Sequence, residues 1–325
     1  MLPPTLADRA GWAADLQVAF AALRLEPSAG NLCAAIAVAE QESGLRAGPA
    51  VPRLGEIARR ELDERAERAG VPALAVSAAL ALSSPDGRSW SERLQAVKTE
   101  HELSDLYEDF IDRVPLGRRF LASRNPVRTG GAMQVSVAFA ERQAQDGYPY
   151  PMKGSVRDEV FTRRGGLYFG VAHLLDYDAP YDAPIYRFAD FNAGRWASRN
   201  AAFQNALAAL TGIPLVPDGD LLPPDAGRDT PPGATETAAR ALSQRLGLSD
   251  AAIRRDLERG DAAGFERTAL YEKVFRLAGA GAPRAALPRI RLEGPKIQRR
   301  LTTEWFARRV DERWRRCLAR AERAD

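Results

Sequence analysis

Residues 31–45 read NLCAAIAVAEQESGL, an apolar stretch that ends in a carboxylate and a glycine. Ala, Leu and Glu are good helix formers, so the stretch predicts a helix that ends at Glu42, with Gly44 as its C-terminal cap. A glutamate donates a proton at neutral pH only if burial raises the pKa of its carboxyl. Taken alone, the pattern favours a solvated charge at a helix end.

Three later segments accompany this one. With QESGL at 41–45 as the first motif, the second is GAMQ at residues 131–134 and the third is DFNAG at 190–194, and the apolar helix GLYFGVAHLL at 166–175 lies between the last two. In this order the segments resemble the signature of lytic transglycosylases and goose-type lysozymes, which cut the glycan strands of peptidoglycan. The resemblance covers residues 30–45 and 125–210. The sequence PVRTGG at 126–131 is also similar to an uncharacterised family of bacterial lipoproteins.

The resemblance implies a fold, an activity and a set of site residues. The fold is all-α with at most a minor β element, built on a lysozyme-like catalytic domain. The activity needs no cofactor and no metal. The implied site consists of Glu42 as catalytic acid and base and of substrate-binding Ser43, Met133, Gln134, Phe191 and Asn192.

One site position departs from the family pattern. Phe191 stands where the family has a tyrosine, whose hydroxyl is expected to bond the catalytic carboxylate. Glu42 therefore needs another donor, and Tyr150, Tyr168 and Tyr186 are the candidates. The departure also leaves room for a protein that kept the cleft as a cell-wall-binding or scaffold protein and lost its activity.

The number of carboxylates in the site separates two reactions. Glycosidases generally use two, whereas lytic transglycosylases use one, because the 6-hydroxyl of the substrate attacks and gives a 1,6-anhydro sugar. Asp190 is the obvious second carboxylate, but on a helix it lies about 200° from Asn192. A charge near a helix start is its favoured role. We therefore expect a lytic transglycosylase that cleaves the MurNAc–GlcNAc bond, and a lysozyme-type hydrolase is the alternative.

Composition argues against other classes of protein. The 325 residues include 46 Lys and Arg and 43 Asp and Glu, a net charge of +3, with acidic residues interspersed among the basic ones. A nucleic-acid binder should show a concentrated basic stripe, so we expect peptidoglycan rather than nucleic acid as the partner. A cytoplasmic helical nucleic-acid partner remains a further alternative, based on the basic pI and the missing signal.

The two cysteines and two histidines are scattered, which leaves little material for a zinc site. Cys33 and Cys317 each fall on a predicted apolar face. We expect two buried thiols, with a single disulfide as the alternative.

The resemblance, together with the helical periodicity and the turn residues, implies three regions. Residues 1–213 form the catalytic domain, with a helical insertion at 46–129 whose helices lie at about 54–68, 72–83, 89–97 and 99–113. Residues 214–234 contain six prolines and form a linker or surface loop. Residues 235–325 form a helical extension packed on the catalytic domain.

The substrate implies the location. No apolar run approaches the ~20 residues that span a bilayer, so the mature chain is not expected to be transmembrane. Peptidoglycan lies outside the cytoplasm, and the first residues from Met1 lack the basic and apolar regions of a signal peptide. We therefore expect a periplasmic or outer-membrane-associated protein, with a secretion signal ahead of Met1 that could carry a lipid anchor.

Overall fold

Helices make up most of this chain. The computed structural model describes residues 1–223, 225–227, 230–292 and 300–323, with 59% helix and 4% strand. The all-α class predicted from the sequence is confirmed at this level, and the β element is minor, as expected. Among the described residues, no helix combines the length and apolar character needed to cross a membrane.

Residues 1–28 and 38–172 form the first of two compact units. Its helices are α1 (Arg9–Ala22), α3 (Leu54–Arg68), α4 (Ala73–Ala81), α5 (Trp90–Ala96), α6 (Glu100–Ile111), α7 (Gly117–Leu121), α8 (Val137–Gln143) and α9 (Val156–Phe161), with 3₁₀ turns at Ala122–Arg124 and Ala144–Asp146. Strands β1 (Thr129–Gly130) and β2 (Val135–Ser136) form an antiparallel hairpin. Helices α2 (Ala29–Ser43) and α10 (Arg163–Leu175) divide between the units, after residues 37 and 172.

The predicted helical insertion folds as helices close to the predicted bounds. Helix α3 has the predicted bounds of 54–68, and α4, α5 and α6 begin within one residue of theirs. Serine or threonine caps explain two of these starts: Ser89 and Thr99 each form a capping box with the glutamate three residues later. Apolar faces of these helices share one core that includes Trp90, Leu103 and Leu106. Local sequence thus accounts for this part of the fold.

The β1–β2 hairpin lies against glycines of α10. A Cβ atom on Gly166 would crowd the backbone of Gly131 and Ala132, and one on Gly170 would collide with the Met133 side chain. Gly131 itself has a φ of +75°, which favours glycine. The glycines of GLYFGVAHLL therefore allow the GAMQ turn to approach the helix closely.

Residues 29–37, 173–292 and 300–323 form the second unit. Its helices are α11 (Pro184–Ala193), α12 (Ala197–Thr211), α13 (Ala234–Ala241), α14 (Ser243–Leu246), α15 (Asp250–Leu257), α16 (Ala269–Ala278) and α17 (Thr303–Ala321), with a 3₁₀ turn at Phe265–Arg267. Strands β3 (Arg291–Leu292) and β4 (Leu301–Thr302) are antiparallel.

Helix α12 forms the centre of this unit. Phe203 is fully buried, and its ring centroid lies 5.1 Å from that of Phe265 and 5.8 Å from that of Tyr271. The Gln204 side chain accepts a hydrogen bond from the N–H of Gly219 (2.8 Å) and donates one to Asp218 (2.8 Å). The described start of the predicted linker is therefore held against α12.

The expectation of two free thiols is wrong. Cys33 of α2 and Cys317 of α17 form a disulfide, with their Cα atoms 5.5 Å apart and both residues fully buried. The indole N–H of Trp314 also donates to the carbonyl of Gly30 (3.0 Å). A buried thiol and a buried disulfide leave the same apolar pattern in a sequence, so the pattern did not separate them.

The predicted division into a catalytic domain, a linker and a packed extension stays a prediction. Compact units group the residues differently, since 173–213 lie with 230–292 in the second unit. Residues 224 and 228–229 of the predicted linker, and residues 293–299 and 324–325 of the predicted helical extension, lie outside the described residues.

Candidate functional site

Glu42 lies in the last turn of α2, as predicted. The helix ends at Ser43, the φ of the following Gly44 is +63°, and the N–H groups of Gly44 and Leu45 donate to the carbonyls of Glu40 and Ala39. This glycine C-cap closes the helix directly after Ser43. The residues that precede Glu42 from Cys33 to Ala39 are all buried, so the carboxylate stands at the end of a core helix.

The surroundings of Glu42 favour the neutral carboxyl. Part of the side chain reaches the surface, but protein packs closely around the carboxyl, and this burial raises its pKa to about 8. The negative charge of Glu100 adds to the effect. Among the described residues, no group donates a hydrogen bond that would offset the desolvation. Glu42 is thus protonated at neutral pH, as a general acid must be.

Glu100 is a site residue that the sequence analysis missed. It lies in the first turn of α6, is 8% exposed, and accepts a hydrogen bond from Nε2 of Gln134 (2.9 Å). Since Thr99 and Glu102 satisfy the capping box, the carboxylate of Glu100 is not the one that caps the helix. The capping-box pattern in the sequence could have shown that Glu100 is a second acidic residue in the first turn, besides Glu102. It could not have shown that Glu100 lies near Glu42.

Gln134 holds a constrained position at the tip of the hairpin. Its φ is +51°, in the left-handed region that residues other than glycine seldom adopt. In this conformation its N–H donates to the carbonyl of Gly131 (3.2 Å), while its side chain reaches Glu100. The Gln134 side chain thus connects the second predicted motif to Glu100, whose charge acts on Glu42 of the first.

Two other predicted site residues have structural contacts. Ser43 is buried, and its hydroxyl donates to the carbonyl of Ala39 (2.9 Å) and accepts from the N–H of Arg46 (3.1 Å). Both hydrogen bonds lie at the end of α2, so the hydroxyl is occupied there. Met133 is fully buried against Gly170. The structure places both in the framework that supports Glu42 and Gln134, rather than on a surface that a sugar could reach.

Gln41, next to Glu42, carries an unsatisfied acceptor. Its side-chain oxygen is buried and has no hydrogen-bond partner among the described residues. A buried acceptor without a donor is costly and often marks the place of a water or a ligand. A hydroxyl-bearing ligand at this helix end would supply the missing donor.

The third motif lies in the second unit. Phe191 is half-buried, and its ring centroid lies 5.0 Å from that of His173. Asn192 is exposed and accepts a hydrogen bond from the hydroxyl of Thr303 (2.8 Å). The assembly of all three motifs into one cleft stays a prediction.

Asp190 has a structural set of partners. Its carboxylate accepts from the hydroxyls of Tyr181 (2.6 Å) and Tyr177 (3.0 Å) and from the N–H groups of Trp196 (2.9 Å) and Ser198 (2.7 Å). The two N–H groups lie at the beginning of α12, which is the helix-start role favoured from the sequence. Burial raises the pKa of Asp190 against these hydrogen bonds.

Two of the three tyrosines considered as donors to Glu42 use their hydroxyls elsewhere. Tyr150 donates to Asp15 (3.2 Å) and Tyr168 to the carbonyl of Gly147 (2.8 Å). Tyr186 lies in the second unit, with its ring 5.7 Å from that of Tyr181. The donor expected to replace a tyrosine at position 191 stays a prediction.

One group of metal-ligating side chains occurs in the described part of the chain. Ligand atoms of His101, Asp105 and Asp158 lie within 4.8 Å of one another. His101 also stacks on Phe161 (4.7 Å between centroids), and Asp158 accepts from the N–H of Ser155 as part of a capping box. Nε2 of His101 also lies 3.4 Å from a carboxylate oxygen of Asp105.

Comparison with known proteins gives a family without a stated activity. The chain matches the model of a family described as "Protein of unknown function (DUF1615)" over residues 5–320. It belongs to this family. It is also 55% identical over 321 residues to "Uncharacterized protein YaiW" of Escherichia coli strain K12, which covers 98% of this chain and 87% of that protein. No solved structure matches the chain.

The pKa of Glu42 predicts a pH-dependent stability in this DUF1615 protein. Its folded-state pKa of about 8 lies above the ordinary 4.5, so the folded chain holds a proton that the unfolded chain releases. Stability therefore falls as the pH rises from about 4.5 to about 8. We expect Glu42→Gln to raise the melting temperature near pH 8, with no gain near pH 4.

Thermal unfolding of the wild type and the variant at the two pH values measures this difference. Glu64→Gln, which changes an exposed carboxylate on α3, is the matched control and should show no such dependence. An equal effect of Glu42→Gln at both pH values would contradict the raised pKa.

Proposed function

We propose that this protein is a lytic transglycosylase that cleaves the MurNAc–GlcNAc bond of peptidoglycan, with Glu42 as acid and then base. The observation that supports the proposal most is the half-buried Glu42 carboxyl at the end of an apolar helix, with a pKa of about 8. The lysozyme-like fold of the catalytic region, built on the three motifs in order, is part of the proposal.

The reaction needs a single proton carrier. Glu42 gives its proton to the glycosidic oxygen as the bond from that oxygen to C1 of MurNAc breaks. The Glu42 carboxylate then takes the proton of the 6-hydroxyl of the same sugar, whose oxygen bonds to C1 and closes the 1,6-anhydro ring. No water is consumed, and Glu42 ends protonated. Positioned proton transfer accounts for roughly 10²–10⁴-fold of the rate.

The disulfide supports a location outside the cytoplasm. Disulfides persist in oxidising compartments, among them the bacterial periplasm, and are rare in the cytosol. The Cys33–Cys317 bond is therefore what a periplasmic or outer-membrane-associated wall enzyme is expected to carry. The net charge of +3 also suits a substrate whose peptides carry carboxylates.

Digestion of dye-labelled, purified peptidoglycan sacculi tests the proposal. We expect the wild-type chain to release soluble dye in proportion to enzyme and time. Sacculi that bind the protein without release of dye would contradict an enzyme and favour the cell-wall-binding alternative.

Glu100 gives the lysozyme-type hydrolase its own support. A second carboxylate close to the acid is what a hydrolase uses to activate water or to bond the sugar. Glu100→Gln separates the two reactions. It keeps the shape of the side chain and removes the charge that raises the pKa of Glu42.

For a transglycosylase, we expect Glu100→Gln to shift the alkaline limb of the pH–rate profile to lower pH, with activity retained in mild acid. A hydrolase that depends on Glu100 would instead lose roughly 10²–10⁴-fold at every pH. The measurement is dye release across the pH range. An unshifted profile with full activity would contradict the placement of Glu100 beside Glu42.

A further inference from the structure

An apolar cavity lies within the first unit, among α3, α4, α5, α6 and the β1–β2 hairpin. Its volume is about 790 Å³, within the roughly 300–1,000 Å³ typical of small-molecule sites. Most of its wall is aliphatic or aromatic, including Leu54, Leu80, Trp90, Leu103 and Phe110. Such a wall favours a ligand with a substantial apolar part.

The same cavity reaches the candidate site. Glu100 and Gln134 both line it, and they are joined by the 2.9 Å hydrogen bond described above. Of the three other charged lining residues, Glu61 and Arg65 pair with each other at 3.3 Å, and Arg128 is exposed. Glu100 and Gln134 therefore form a polar part of the cavity wall. Glu100 is also the residue whose charge acts on Glu42.

The charge at this place selects the polar part of a ligand. The buried Glu100 carboxylate accepts hydrogen bonds and repels an anion placed against it, so hydroxyl groups suit this point of the wall better than a carboxylate or phosphate head does. Gln134 adds an amide that both donates and accepts. An apolar chain that carries a sugar combines the two requirements.

We propose that the cavity binds the apolar chain of a lipid-linked sugar and that Glu100 and Gln134 bind the sugar hydroxyls. The proposal deepens the function given above and rests on it in one respect, since it places the glycan beside Glu42. It assigns the ligand class as an apolar chain that carries a sugar. It also gives the helical insertion at 46–129 a role, because its helices build most of the cavity wall.

Trp90 lines the cavity, so its fluorescence reports a ligand that binds there. We would titrate the full chain, carrying Glu42→Gln to prevent turnover, with dodecyl maltoside brominated on its chain, below the micelle concentration. Bromine quenches indole fluorescence on contact. We expect saturable quenching, most of which disappears in Trp90→Phe.

Two matched variants and two competitors complete the test. Ala79→Phe fills the cavity and should weaken binding about tenfold or more, whereas Ala78→Phe, at an exposed position on the same helix, should not. Unbrominated dodecyl maltoside should reverse the quenching, and dodecanoate should do so about tenfold less well.

Several results would overturn the inference. They are an absence of saturable quenching, quenching that survives both Trp90→Phe and Ala79→Phe, and equal competition by dodecanoate, which would remove the sugar from the assignment. Failure here is distinct from failure of the proposed function. If the wild-type chain digests sacculi but does not bind the maltoside, the proposed activity is supported and the binding of a lipid chain is contradicted. If it binds the maltoside but does not digest sacculi, the ligand cavity is supported and the proposed enzymatic activity is contradicted.

Discussion

Glu42→Gln is expected to lower the release of dye from sacculi by roughly 10²–10⁴-fold while the chain stays folded. The amide has nearly the same shape as the carboxyl but cannot give up a proton to the glycosidic oxygen. Since burial already keeps Glu42 neutral, with a pKa of about 8, the substitution does not change the charge of the site at neutral pH. The initial rate of dye release, with circular dichroism to confirm the fold, measures the effect.

Two features make this result specific to catalysis. Glu64→Gln on α3 serves as the control and should retain wild-type activity. The wild-type rate should also fall as the pH rises through about 8, because the acid form of Glu42 is lost. Wild-type turnover by Glu42→Gln would remove Glu42 from the reaction and with it the site assignment.

The second large effect concerns the disulfide. Cys33 and Cys317 are 284 residues apart in sequence, so their bond closes nearly the whole chain into a loop. A cross-link over a loop this long restricts the unfolded chain strongly. Replacing both cysteines with alanine is therefore expected to lower the free energy of unfolding by about 2–5 kcal/mol.

Chemical denaturation of the wild type and of the Cys33→Ala/Cys317→Ala variant measures this difference. A reducing agent provides the control. It should lower the stability of the wild type toward that of the double variant and leave the double variant unchanged. Free thiols in the native wild type, with equal stability of the two proteins, would refute the bond.

Local sequence predicted the helices because helix signals are local. Helix α3 has the predicted bounds of 54–68, since its apolar period and the turn residues around it lie within one window. The cap at Gly44, directly after the last residue of α2, followed from the need for a positive φ at a helix C-terminus. These features depend on residues a few positions apart, and no tertiary contact was needed to find them.

The parts of the site that depend on tertiary contacts were not predicted. Glu100 is 58 positions from Glu42 in the sequence, and only the folding of the first unit brings the charge of Glu100 near the Glu42 carboxyl. Met133 was expected to contact sugar, but the glycines of α10 let the hairpin approach so closely that its side chain is buried. The motif gave the position of this turn correctly and not the direction of each side chain.

Mass spectrometry of the fragments released from purified peptidoglycan tests the central claim most directly. Internal attack by the 6-hydroxyl leaves each new MurNAc end lighter by one water than hydrolysis does, and resistant to borohydride reduction. A lytic transglycosylase that acts through Glu42 predicts muropeptides with 1,6-anhydro ends, which are absent when Glu42→Gln replaces the wild type. Fragments that carry only reducing ends would contradict the transglycosylase and assign the chain to the hydrolases.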